Sequence, residues 1–281
     1  MNAIASVILP THDEAGHIGP CLSALLESDP LPRGWRGEVI VVANGCRDDT
    51  AGAARGYGDA ARARGWSLRV IELSEGNKLR ALNAGDAAAR GGVRIYLDAD
   101  VTVGPALIGQ IVRALDGEGA LYASGTPRVA RAHSRFTRAY ARLWLRLPFA
   151  THGVPGFGLF AVNAAGRARW GDWPDIISDD TFARLHFAPP ERIRVAAGYV
   201  WPMVEGFANL VRVRRRQNRG VAQIAARYPA LLANDDKTRP GVGALALLAT
   251  GDPAGLAAYG VVALAVKTPL YRGRGGWARG R

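Results

Sequence analysis

The chain has 281 residues, 48% of them hydrophobic and 21% charged, the composition of a globular protein long enough for a full core. Its two cysteines, Cys21 and Cys46, exclude a disulfide framework and a cysteine-based metal site and suit a reducing compartment. The net charge of +12 points to an anionic partner: nucleic acid, an anionic membrane surface or a phosphorylated substrate. An arginine-rich composition bias accounts for the same figure.

The opening, "MNAIASVILPTHDEAG", lacks a basic leader and runs straight into a strand, so no signal peptide is expected. Residues 4–9 read as a buried strand, "PTHDEAGHIG" as a loop, and 16–26 as a helix. "EVIVVA" (38–43) is a second strand, followed by the turn "NGCRDDT" and an Ala-rich helix over 50–64. "SLRVIEL" (67–73) is a third strand, residues 77–91 a helix closed by Gly91 and Gly92, and "VRIYLDA" a fourth strand. Strands alternating with helices of this length predict βαβ units and a mainly parallel sheet. In such sheets ligands sit at the carboxyl ends of the strands. The loops there carry Asp13 and Glu14, Asn44 and Asp48, and Asp98 and Asp100.

The second half reads differently. Residues 120–125 suit a strand. Residues 131–147 suit a helix that Pro148 stops, with Phe136, Tyr140, Leu143 and Leu147 on one stripe and Arg131, Arg135, Arg138, Arg142 and Arg146 on another face. A glycine-rich stretch, "THGVPGFGLFAVN", and "PDIISDDTFARLHF" follow, then the basic run "RVRRRQNRG" (212–220). Apolar segments near 241–250 and 254–266, broken by Asp252 and Pro253, fall short of a bilayer span. They leave open a helical pair lying on a membrane. The basic, Gly-rich tail is expected to be poorly ordered.

Alternation along an extended chain puts Asp98 and Asp100 on one side. Two such carboxylates repel each other unless a cation lies between them. Mg²⁺ or Mn²⁺, sharing carboxylate and phosphate oxygens, would relieve that repulsion and make a nucleoside diphosphate a leaving group. A solvated turn is the plain alternative for an isolated D-x-D.

Taken together, "SVILPTHDEAGHIGPCLSALL", "EVIVVANGCRDDT", "GNKLRALNAG", "IYLDADV", "GVPGFGLFAVN" and "ISDDTFARLHF" resemble, in order, the motifs of family 2 glycosyltransferases of the GT-A fold. The resemblance covers about residues 4–190 and fades after them. It implies an α/β Rossmann-like catalytic domain over 1–205 and a basic, partly helical extension over 206–281. Pro10, Thr11, Asp13 and Glu14 would line the base and ribose, with Asn44 and Asp48 close by. Lys78 would face the nucleotide or diphosphate, and Asp98 and Asp100 would hold ribose and metal. Asp180 matches the catalytic base, with Asp179 as a neighbour able to trade roles; a plain helix N-cap is the alternative. Gly156, Phe157, Gly158 and Trp173 are acceptor-side candidates. His186 is a candidate third metal ligand, against a packed helix position.

The implied activity is metal-assisted transfer of one sugar, with inversion, from a nucleoside-diphosphate sugar to a hydroxyl acceptor, either lipid-linked or small. Ala43 stands where the family often has an aspartate, so UDP is only the default. "RRRQNRG" lacks the Q-x-x-R-W of processive members. A cytoplasmic location, peripheral contact with the membrane, no nucleic-acid partner, and compatibility with a homodimer complete the reading. A Mg²⁺-dependent nucleotidyltransferase, a polyanion-binding protein and a non-catalytic scaffold are the alternatives. A nicotinamide enzyme is disfavoured, since "PTHDEAG" follows the first strand in place of G-x-G-x-x-G.

Overall fold

The computed structural model describes residues 3–236 and 250–269. The chain forms two compact units. The first comprises Met1–Arg128, Gly156–Asp175 and Asp179–Trp201, and the second Val129–Pro155, Ile176–Ser178 and Pro202–Arg281. The division at 205/206 follows the run of motifs along the sequence. Packing also sets Val129–Pro155 with the C-terminal helices.

The first unit is built on β1 (Ala3–Thr11), β2 (Trp35–Asn44), β3 (Ser67–Leu73) and β4 (Val93–Leu97), which pair in parallel in the order β3-β2-β1-β4. β1 and β2 are buried along most of their length, as continuous Val/Ile/Leu runs covered on both faces should be. α1 (Ala15–Leu26) buries Ile18, Cys21, Leu22 and Leu25 at helical spacing. The helix expected over 50–64 is two short ones, α2 (Thr50–Arg55) and α3 (Gly58–Ala63). α4 (Lys78–Ala88) begins at Asn77, whose side chain accepts from the N–H groups of Leu79 and Arg80.

The sheet extends beyond the parallel block. After β5 (Thr102–Val103) and α5 (Leu107–Leu115) come β6 (Tyr122–Val129), β7 (Leu159–Asn163) and β8 (Arg192–Trp201). The full order is β3-β2-β1-β4-β7-β6-β8-β5, with β7 antiparallel to β4 and β6, and β5 antiparallel to β8. The parallel block was expected, and so was a strand near 120–125, where β6 lies; β7 and β8 were not, because β7 lies in the glycine-rich stretch and β8 in a segment without clean alternation.

The second unit is helical: α6 (Arg135–Trp144), the short α7 (Pro148–Thr151) and a 21-residue helix spanning Phe207–Arg227. A last described helix spans Pro253–Ala265. The apolar segment expected near 241–250 falls almost wholly outside the described residues. Among the described residues, no helix is long and apolar enough to cross a membrane.

Candidate active site

The loops at the carboxyl ends of β1 and β2 are tied together. Asn44 Nδ2 donates to the Thr11 carbonyl at 2.6 Å, and Thr11 Oγ1 donates to the Val42 carbonyl at 3.2 Å. Asp13, the one described non-glycine residue with positive φ, accepts from the Arg47 N–H at 2.5 Å. Asp48 accepts from the Ala15 N–H at 3.1 Å, at the start of α1, and Glu14 N–H donates to Thr50 Oγ1 at 2.7 Å. Gly45, at φ +59°, permits this closure, since a Cβ there would stand 2.3 Å from the Gly76 nitrogen. Thr11 and Asn44 are therefore buried braces of the rim, and Asp48 is part of its scaffold. Asp13, Glu14 and Pro10 are only partly buried.

One polar atom of this rim is orphaned. Asn44 Oδ1 is buried without a hydrogen-bond partner, an arrangement that favours an incoming donor. His12, Asp13 and Cys46 each offer a ligand atom within 4.8 Å of the others, the one such triad found among the described residues. Their present bonds are structural: His12 Nδ1 to the Asn44 carbonyl at 2.6 Å and the Asp13 N–H to Cys46 Sγ at 3.4 Å.

The D-x-D lies just past β4. Strand geometry ends at Leu97, and the Val101 N–H closes a turn onto the Asp98 carbonyl at 3.1 Å. The alternation expected to aim both carboxylates one way thus does not apply: a turn sets their directions. The Asp98 N–H donates to the Gly158 carbonyl at 2.9 Å, pinning the turn to the glycine-rich stretch. Gly156 (φ +70°) is required there, because a Cβ would fall 1.8 Å from the Tyr122 hydroxyl. The Phe157 carbonyl accepts from Tyr199 at 2.7 Å.

Lys78, in the first turn of α4, joins two carboxylates. Its Nζ lies 2.9 Å from Asp98 and 3.0 Å from Asp179 at the start of α8 (Asp179–Leu185). Burial opposes the lysine charge, but Asp179 and Asp98 outweigh it and hold the Lys78 pKa above its ordinary range. Burial pushes Asp98 up to about 6; Lys78 works against that, while repulsion from Asp100 and Asp179 adds to it. Asp98 and Asp100 thus lie close enough to repel each other, and carboxylate oxygens so paired are a donor set that fits a divalent cation, which would remove the repulsion. Asp179 is buried and held by Lys78. Asp180 is half-buried, and its charge acts on the buried hydroxyls of Tyr122 and Tyr199.

Other candidates sit elsewhere. Trp173 is 3% exposed; its Nε1 donates to Asp86 at 2.7 Å and its N–H to Asn83 at 2.7 Å. It is a core anchor with no ring face open to a sugar. His186 packs against Trp170 and Phe182, with Nδ1 on the Phe182 carbonyl at 2.9 Å, and belongs to no ligand cluster among the described residues. The residue that sequence reasoning missed is Asp86. It gathers Tyr96, Trp173, Arg167 and Arg94 on one buried carboxylate. An acid on the inner face of α4 was the available signal.

A parallel α/β block with nucleotide-type loops, an acidic turn after its fourth strand and a following antiparallel extension defines a GT-A glycosyltransferase. Residues 6–168 match glycosyl transferase family 2, and the chain belongs to that family. The structure is similar to mannosyltransferase PcManGT from Pyrobaculum calidifontis, solved with GDP-Man and Mn²⁺. That match has a TM-score of 0.62 and 21% identity, over 96% of this chain and 77% of that one. It also resembles S. aureus TarS 1-349 in complex with UDP, at TM-score 0.56 and 16% identity, covering 85% and 67% of the two chains. A mycobacterial protein matches at TM-score 0.52 and 26% identity, covering 80% and 74%. No curated protein sequence matches the chain.

Proposed function

We propose that this glycosyltransferase moves one sugar from a nucleoside-diphosphate donor to a hydroxyl acceptor with inversion at the anomeric carbon. The observation that carries the reading is the meeting of Lys78, Asp98 and Asp179 from three separate segments, beside Asp100, at the carboxyl rim of the parallel strands. Asp13, Glu14 and Pro10 are the partly buried edge for base and ribose, and Asn44 Oδ1 is an acceptor for a donor N–H. Asp100, with Asp98, would hold Mg²⁺ or Mn²⁺; when bound, that cation neutralises charge on the departing diphosphate. Two of the structural neighbours are complexes with nucleotide ligands, one of them with Mn²⁺, which supports this reading.

Asp180 is the general base. Asp179 is committed to Lys78, whereas Asp180 is the more exposed of the pair. The acceptor oxygen attacks the anomeric carbon from the side opposite the diphosphate. Its proton passes to the Asp180 carboxylate, and the carbon–oxygen bond to the diphosphate breaks with its electron pair going to phosphate. UDP is the default donor nucleotide. The acceptor is a hydroxyl of a lipid-linked or small molecule.

A thermal-shift series with UDP, GDP and other nucleoside diphosphates, with and without Mn²⁺, tests the class. Stabilisation by one nucleotide that requires the ion, and its loss in Asp100→Ala, is the expected result. Equal stabilisation without ion, or in Asp100→Ala, would remove the metal role. Formation of pyrophosphate in place of nucleoside diphosphate would instead identify a nucleotidyltransferase.

A further inference from the structure

The last described helix spans Pro253–Ala265. It carries no charged side chain, and its buried residues Gly255, Ala258, Val262 and Ala265 form one face. A second face, Ala254, Ala257, Val261 and Leu264, is exposed, with Val261 at 50% and Leu264 at 66%. An ordinary surface helix presents polar residues to water at such positions. The hydroxyl of Tyr259, the helix's only polar side chain, is turned to Arg214 at 2.6 Å. The outward stripe is therefore wholly apolar.

Its surroundings are basic. Arg142 pairs with the helix's N-cap Asp252 at 3.0 Å and neutralises it. A Cβ on Gly251 would lie 3.9 Å from an Arg146 guanidinium nitrogen, so a second arginine stands at that end. Lys267 is exposed just past the other end. From Pro253 to the last residue the sequence has no acid and five basic residues: Lys267, Arg272, Arg274, Arg279 and Arg281. An apolar stripe between cationic ends matches a surface that is apolar below and anionic above.

We propose that the stripe Ala254, Ala257, Val261 and Leu264 docks on the interfacial layer of an anionic lipid bilayer, with the flanking basic residues meeting the headgroups. The proposal goes beyond the transfer reaction and holds whichever donor is used.

Sedimentation with vesicles tests it on the full chain. Wild type should partition at least about tenfold more strongly onto phosphatidylcholine vesicles containing phosphatidylglycerol than onto phosphatidylcholine alone, and raised salt should weaken that binding. The double variant Val261→Asp/Leu264→Asp should lose about tenfold or more of the binding, since both changes put charge at the apolar boundary. Its circular dichroism and its mass by light scattering should not change. Val261→Ser/Leu264→Ser serves as the milder pair if the acidic one does not fold.

Absence of vesicle binding by wild type would overturn the proposal. So would equal binding by the variants, or binding indifferent to lipid charge. A wild-type dimer that the double variant dissociates, without vesicle binding, would assign the stripe to a second copy instead. Nucleotide-dependent thermal shifts of the same preparations report on the transfer site separately, so one reading can fail without the other.

Discussion

The two units handle charge in opposite ways. In the first, acids are gathered inward: Asp86 accepts from Tyr96 and Trp173 and pairs with Arg167 and Arg94, and Asp98 and Asp179 share Lys78. In the second, arginines do the organising. Arg215 donates to the carbonyls of Ala265 and Val266 at the end of the last described helix. Arg214 stacks on Tyr259 with its guanidinium 4.2 Å from the ring centroid. Arg138 donates to the carbonyls of Ala132 and His133. A carboxylate, which only accepts, collects donors at one point and suits a rigid site. An arginine, with five donors on a long stem, spans helix ends and tyrosines and suits bundle assembly. The basic face read from sequence is thus partly internal scaffolding.

The sharpest break in this comparison falls on the base. Asp180→Asn should lower kcat by about 10³-fold while the nucleotide-dependent thermal shift persists. An unchanged rate would move the base to Asp179 or to another group. Next in size is Asp86→Ala. It leaves the Arg167 and Arg94 guanidiniums without their shared partner and the buried Trp173 Nε1 unsatisfied, at a cost of about 3 kcal/mol. Denaturant unfolding should show it as a lower midpoint. A loss below about 1 kcal/mol would mean that Asp86 does not brace Trp173 against α4.

The parallel block was legible because its strands are unbroken apolar runs and its helices have clean periods. The D-x-D was legible as a pair of like charges after a strand. The direction of its side chains was not, because a turn replaces the strand at Asp98. Lys78 was read as facing the nucleotide or diphosphate; its contact with Asp179, 101 positions later and 3.0 Å away, is set by the fold and has no local signal. Trp173 looked like a sugar platform, since sequence shows an aromatic ring but not the buried Asp86 that holds it. β7 was hidden because it is short, buried at every position and so without alternation, and preceded at once by Gly156 and Gly158, which permit the tight approach to Tyr122 and Trp201.

In the helical unit, Arg215→Ala should destabilise by about 1–2 kcal/mol, since its guanidinium gathers the carbonyls of Ala265, Val266 and Thr268 at a helix end. Arg215→Lys should recover only part of this, because one ammonium cannot reach the same set of oxygens in the plane of a guanidinium. Melting curves of the two variants decide the point. Full recovery by lysine would show that charge near the helix end suffices, and that the second unit does not depend on the multi-point geometry that sets it apart from the first.

The smallest expected effect lies in the sheet. Glu38 is buried, accepts from Ser6 Oγ at 2.6 Å and from the Arg90 N–H at 2.6 Å, and pairs with Arg90 Nε at 2.9 Å. Burial pushes its pKa up, but the bonds from Ser6 and Arg90 outweigh that and hold it below its ordinary value of 4.5. A carboxylate lowered by folding stabilises the native state fully above its unfolded pKa, and the contribution fades as pH falls through the folded value. Wild type should therefore exceed Glu38→Gln in stability by about 1 kcal/mol at pH 7. The gap should close below pH of about 4. Unfolding midpoints of both proteins across that range test the sign. A gap that widened in acid would mean that the protonated acid, not the carboxylate, is the form that Ser6 and Arg90 hold.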